Sequence, residues 1–155
     1  MEKYQAKEIN IPEIKAYYRH GKIDNMSELF AFVLAAGTEC RKNNPTLECM
    51  DYCYITYEAE QYQEIDVELE YVEAVSEFGV ESENIKFKTV PAIKAISVTH
   101  KGAYAKLGEA YAYAVNYVRE KGYTISGKIR EVYIHGCWDY ESENDYETEI
   151  QVPVE

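Results

Sequence analysis

Part of this chain is written twice, and that constrains its fold more than any other feature. Ile11-Pro12-Glu13-Ile14-Lys15-Ala16 returns 79 residues later as Val90-Pro91-Ala92-Ile93-Lys94-Ala95, and His20-Gly21 is answered by His100-Lys101-Gly102. A helical pattern follows each copy, and two strand-like runs follow each helix. A repeat of this size is one supersecondary unit used twice, so the topology of one half should serve for both. The halves run over about residues 1–75 and 85–155, with Ser76 to Asn84 connecting them. Together they make one domain, residues 1–155.

Local signals predict strand, helix, strand, strand in each half. Ile9 to His20 reads as extended, with Pro12 near its start, where a missing N–H costs least. Asn25, with Glu28 three residues on, resembles a helix N-cap. Leu29, Phe30, Phe32, Val33 and Ala36 then form an apolar stripe, closed by Asn43-Asn44-Pro45. Met50 to Tyr57 and Asp66 to Val75 are predicted to pair as a hairpin. In the second half Ile85 to His100 is the extended entry. Tyr104, Leu107, Tyr111, Val115 and Val118 recur at helical spacing, and Gly122 ends that helix. Ile129 to His135 and Thr148 to Val154 are the closing strands, separated by an acidic loop with the only tryptophan. Two consecutive strands in each half predict an antiparallel α+β fold rather than a doubly wound one.

Charge narrows the partners. The chain has 28 acidic and 16 basic residues, a net charge of −12, and a phosphate backbone would be repelled by such a surface. No direct nucleic-acid contact is expected. No apolar run reaches the length of a membrane span, and Met1-Glu2-Lys3-Tyr4 begins no signal peptide, so a cytoplasmic location without membrane contact is expected. Cys40, Cys49, Cys53 and Cys137 show no CxxC pair, and His20, His100 and His135 show no metal-ligand spacing. The cysteines read as small buried hydrophobes, with no metal and no cofactor expected.

Alternation along the strands assigns faces. Ile150, Val152 and Val154 are expected toward the core, with Glu149 opposite; Val67, Leu69 and Tyr71 toward the core, with Glu68 opposite. Val132 and Ile134 are assigned to the core, with Glu131, Tyr133 and His135 facing away. Cys53 and Ile55 are likewise core, with Tyr52 and Tyr54 away. The faces away from the helices therefore mix tyrosines with carboxylates, in a chain with 16 Tyr and only 4 Phe. Aromatic faces attract cations by roughly 0.5–2 kcal/mol each, and a carboxylate tolerates burial better when a ligand brings the counter-charge. If the halves pack about a pseudo-twofold axis, these faces would wall one cleft for a flat organic cation. A solvated outer face gives the same alternation, so parity alone leaves both readings open.

His100-Lys101-Gly102-Ala103-Tyr104, Glu131-Val132-Tyr133 and Thr148-Glu149-Ile150-Gln151-Val152-Pro153-Val154 closely resemble the GyrI-like small-molecule-binding domain. The same module is the effector domain of AraC-type and MerR-type regulators. The resemblance implies duplicated β-α-β-β halves with pseudo-twofold symmetry, antiparallel sheets and a ligand cleft between the halves. It implies hydrophobic, often cationic aromatic ligands, with Glu149 at the cleft floor and Glu131 and Tyr104 at recurrent positions. Two departures stand out. The first half lacks the His-x-Gly-x-Tyr form, and the loop after Tyr133 reads His135-Gly136-Cys137-Trp138-Asp139 where the family has Asn-Asp-Pro. The repeat consumes the chain, so a stand-alone member without a helix-turn-helix is expected.

The leading expectation is a binding protein for such small molecules, with Glu149, Glu131, Tyr133, Tyr104, Trp138, Tyr54, Tyr52, Glu68 and Tyr111 as candidate ligand contacts. The alternative is a hydrolase opening the strained cyclopropane of DNA-alkylating natural products. There Glu131 and Glu149 would share one cleft as base and acid, and Tyr104 or Tyr133 would bond the developing oxyanion. A third class, an acidic interaction module for a basic protein, has no motif behind it.

Overall fold

The computed structural model describes residues 4–58, 65–136 and 138–155; Cys137 lies outside them. In chain order the elements are β1 (Ala6–Ile11), β2 (Ile14–Asn25), α1 (Leu29–Asn43), β3 (Cys49–Tyr57), β4 (Ile65–Val75), β5 (Lys86–Val90), β6 (Ile93–Lys101), α2 (Leu107–Glu120), β7 (Arg130–His135) and β8 (Glu147–Val154). Within each unit the described strand pairings are antiparallel, and the fold is α+β.

The chain divides into two compact units, Met1–Pro12 with Ala92–Glu155, and Glu13–Pro91. Strand order is β1-β6-β8-β7 in the former and β3-β4-β2-β5 in the latter. The sequence predicts one long extended run at the start of each half, whereas each run is two strands broken at a proline. Proline supplies no N–H to a ladder, and β1 and β5 end at Ile11 and Val90, immediately before Pro12 and Pro91. Each short strand then joins the long strand of the other repeat, β1 with β6 and β5 with β2. The 79-residue offset persists in the ladders: Lys15 opposes Val75, and Lys94 opposes Val154.

Each helix covers one sheet face. In the unit that holds α2, Ile96 and Val98 of β6 and Ile150, Val152 and Val154 of β8 pack under Leu107, Ala110, Ala114 and Val118 of that helix. The buried stripe is thus rotated slightly from the predicted one, leaving Tyr111 and Val115 half-buried at its edge. In the other unit α1 buries Phe32, Ala36, Gly37 and Cys40, while Phe30 is 51% exposed despite its place in the predicted stripe. Gly21 of β2 lets the sheet approach this helix, since a Cβ there would lie 2.9 Å from the Phe32 ring. Among the described residues no helix is long and apolar enough to cross a membrane.

The entry to α1 and the end of α2 follow the sequence signals. Asn25 accepts from the Ser27 N–H at 3.0 Å, capping a 3-10 turn that leads into α1. Gly122, at φ +78°, follows the end of α2 in the left-handed region. The far end of α1 is tied to the segment after β4. Asn44 donates to the Cys40 and Val80 carbonyls and accepts from the Val80 N–H, and Glu39 accepts from the Asn84 N–H and side chain and from Ser82.

These hydrogen bonds hold the Glu39 carboxyl down at about 2, the Ser82 hydroxyl being the largest cause. A depressed folded value contributes stability above the unfolded value, and that stability is lost as pH falls toward the folded one. Glu39→Gln is therefore expected to lower unfolding free energy by about 1 kcal/mol at pH 7, after discounting for solvent screening. The difference should shrink as pH falls from about 4.5 to 2 in paired thermal melts.

Candidate functional site

Register decides where each candidate carboxylate points. Glu131 of β7 lies opposite Ile150, and Val132 lies opposite Glu149. Ile150 packs under α2, so Glu131 and Tyr133 are on the helix side of the sheet and Glu149 is on the other. The assignment of Glu131 and Tyr133 to the face away from the helix is thereby corrected. The strand does alternate, but in the opposite phase to one with Val132 and Ile134 under the helix. Ile134 is 38% exposed, whereas Glu131 is 5% exposed.

A charged side chain under a helix needs donors, and tyrosines supply them. The Tyr111 hydroxyl, from α2, donates to one Glu131 oxygen at 2.6 Å, and the Tyr133 hydroxyl donates to the other at 2.7 Å. Hydrogen bonds to a charged acceptor are the stronger kind, about 1.5–3 kcal/mol each. Aromatic rings continue outward from this pair. Tyr104 meets Tyr133 edge-on at 6.2 Å and lies against Tyr146 at 5.4 Å; Trp138 meets Tyr133 edge-on at 6.3 Å. Thr148, directly across the ladder from Tyr133, has a fully buried hydroxyl with no hydrogen-bond partner among the described residues.

Glu149 belongs to a different setting. It accepts from the Ser97 hydroxyl at 2.7 Å and the Gln151 amide at 2.9 Å, both donors being buried. A hollow of about 350 Å³ opens beside Ser97, lined by Gln5, Lys7 and Thr99. Glu131 and Glu149 therefore occupy opposite faces of one sheet and do not form a carboxylate pair.

The remaining candidates belong to the Glu13–Pro91 unit. Tyr54 is buried opposite Val72, with Tyr52 tilted against it at 5.5 Å. Glu68 is committed to His20 at 2.8 Å. Among the described residues, no cluster of His, Cys, Asp or Glu is arranged to hold a metal.

The sequence reading missed one carboxylate. Glu73 of β4 accepts from the Tyr17 and Tyr71 hydroxyls, the latter at 3.2 Å. Cys53 faces it across the ladder, and a β3 bulge between Cys49 and Cys53, with Asp51 at φ +44°, returns Cys49 to that same side. Burial raises both phenols, with Glu73 adding to it for Tyr17, and Cys53 and then Glu73 for Tyr71. The missed signal was phase: Glu73 follows Val67, Leu69 and Tyr71 at a spacing of two, out of step with Glu68 and Glu70.

The comparisons with known proteins bear on this arrangement. Residues 16–155 match the GyrI-like small molecule binding domain. The chain belongs to the GyrI-like family. The crystal structure of the EcmrR C-terminal domain superposes with a TM-score of 0.93 at 36% identity, covering 99% of both chains. The cryo-EM structure of the EcmrR–DNA complex in EcmrR-RPo gives a TM-score of 0.93 at 37% identity, covering 98% of this chain but 57% of that one. The GyrI-like chain thus spans just over half the length of that DNA-bound protein. A crystal structure of a hydrolase from Listeria innocua shares the fold at 10% identity, with a TM-score of 0.70 over 97% of this chain and 92% of that one. SAV2435 bound to tetraphenylphosphonium shares it at 16% identity, with a TM-score of 0.52 over 100% of this chain and 94% of that one. No curated protein sequence matches the chain. This GyrI-like domain is thus built like the EcmrR C-terminal domain.

The Glu73 cluster yields a chemical test. Cys49 is an exposed residue, but desolvation of its thiol and the adjacent Glu73 carboxylate push it up to about 12. Thiolate is the reactive form. Iodoacetamide at pH 8 should therefore modify Cys49 far more slowly than a free thiol, and Glu73→Gln should accelerate it severalfold, as followed by mass spectrometry.

Proposed function

We propose that this GyrI-like domain binds hydrophobic aromatic cations, with Glu131 as the counter-charge and Tyr104, Tyr111, Tyr133 and Trp138 as its aromatic surroundings. The observation that carries this reading is the buried Glu131 carboxylate, held from two sides by tyrosine hydroxyls on the helix face of β7. Preorganised donors keep the carboxylate in one orientation, so a ligand meets a fixed negative centre and pays little to order it. Electron-rich ring faces beside it favour cations over neutral molecules of the same shape. A shell of aromatic carbon with one charged floor recognises bulk and charge rather than a pattern of hydrogen bonds. Such a site takes a class of compounds, as an effector domain responding to foreign cations requires.

The hydrolase alternative draws no support from this geometry. Its mechanism needs Glu131 and Glu149 on one substrate, and the β7–β8 register places them on opposite faces. The Listeria innocua hydrolase shares the fold at 10% identity, which carries no chemistry across.

Tetraphenylphosphonium, which SAV2435 holds, is a suitable probe for calorimetry. Binding tighter than about 1 mM, or roughly −4 kcal/mol, is expected. Glu131→Gln should weaken it by about tenfold or more, while triphenylphosphine oxide, neutral and similarly aromatic, should change by less than about threefold. No binding at 1 mM, or equal losses for both compounds, would contradict the assignment.

A further inference from the structure

We propose that Asp139 is a positioning residue for the Glu131 site: it fixes Trp138 as an outer wall that selects aryl-bearing cations over compact ones. The inference rests on the reading of Glu131 as the cation's counter-charge and goes beyond it, because it concerns what a ligand meets farther out.

The start of the loop after β7 is tied down around Asp139. The Asp139 carboxylate accepts from the Gly136 N–H at 2.9 Å and pairs with His135 Nδ1 at 2.7 Å. The Gly136 carbonyl in turn accepts from the Asp139 and Tyr140 N–H groups at 3.1 and 2.9 Å. Those donors hold the Asp139 carboxyl below its ordinary range, His135 contributing most, so it stays ionised near neutral pH. His135 is itself packed on the Tyr140 ring at 4.6 Å. Asp139, next to Trp138, is thus braced through both its main chain and its side chain.

Trp138 is placed against the groups that surround Glu131. A Cβ added at Gly136 would overlap the indole and lie 2.7 Å from the Tyr104 hydroxyl. The six-membered ring of Trp138 and the end of Tyr104 therefore meet over a position that only glycine leaves open. Trp138 also meets Tyr133 edge-on, and Tyr133 bonds Glu131 through its hydroxyl. From the carboxylate outward the order is Glu131, Tyr133, then Trp138, with Tyr104 alongside. Trp138 is 51% and Tyr104 41% exposed, so both offer ring surface to an arriving molecule. A compact cation at Glu131 would end before reaching Trp138. A cation carrying aryl groups would extend one ring farther and lie against the indole, where aromatic contacts add roughly 0.5–1.5 kcal/mol.

The test compares tetraphenylphosphonium with tetramethylammonium, titrated into the full chain. Calorimetry gives both affinities, and emission of the single tryptophan reports contact with it. In the wild-type protein tetraphenylphosphonium should change Trp138 emission and tetramethylammonium should not. Trp138→Ala should weaken tetraphenylphosphonium by about threefold to tenfold and tetramethylammonium by less than twofold. Trp138→Phe should recover most of the loss. Asp139→Ala, with an unchanged melting temperature, should reproduce the selective loss; Asp139→Asn, which keeps an acceptor for the Gly136 N–H, should restore part of it. Equal losses for both cations, or full tetraphenylphosphonium affinity in Trp138→Ala or Asp139→Ala, would overturn the proposal. If Glu131→Gln abolishes binding while the Trp138 and Asp139 variants bind like wild type, the counter-charge stands and the wall falls. No binding of either cation by wild type removes both.

Discussion

A carboxylate under a helix is tolerable only if something satisfies it, and in this domain tyrosine hydroxyls do. Desolvating an unpaired charge costs several kcal/mol even after relaxation, more than most single side chains contribute to stability. Glu131 meets that cost with donors from both sides: Tyr111 reaches down from α2, and Tyr133 reaches along β7. The geometry around the site follows from this. Tyr111 must stand at the edge of the buried stripe of α2, β7 must present Glu131 rather than Val132 to the helix, and Tyr133 must lie on that same face two residues on. The outer rings of Tyr104 and Trp138 then have Tyr133 to pack against.

The Glu13–Pro91 unit solves a related problem with different chemistry. Glu73 also lies among hydroxyl donors, Tyr17 and Tyr71, but its neighbours include thiols where the Glu131 site has an indole and further phenols. The β2–β4 and β6–β8 ladders keep the 79-residue offset, but Glu73 lies on β4 and Glu131 on β7, so the two carboxylates do not occupy equivalent positions. Swapping β1 and β5 between repeats also means that each four-stranded sheet draws on both halves of the sequence.

Much of the skeleton is legible in the sequence because local rules fix it. The repeated Ile-Pro and Val-Pro segments, the Asn25 cap, Gly122 and the alternation in β4 and β8 all act over a few residues, and the elements fall close to where those signals place them. The proline breaks are visible as residues but not as strand ends, because pairing partners far away in the sequence decide where β1 and β5 go. The phase of β7 was illegible for a similar reason. Polarity puts Val132 inside, whereas the buried partner of Glu131 is a tyrosine on a separate helix, and only the tertiary fold brings them together. The family resemblance supplied the importance of Glu131 and Glu149, but the ladder register alone separates them onto two faces.

The account depends on the cation lying on the helix side of β7. A crystal of the protein with tetraphenylarsonium, located by the anomalous signal of arsenic, tests this directly. The account predicts one arsenic site beside the Glu131 carboxylate, with an aryl group within roughly 6 Å of the Tyr133 ring. An arsenic site beside Glu149 and Ser97, on the opposite face, would contradict it.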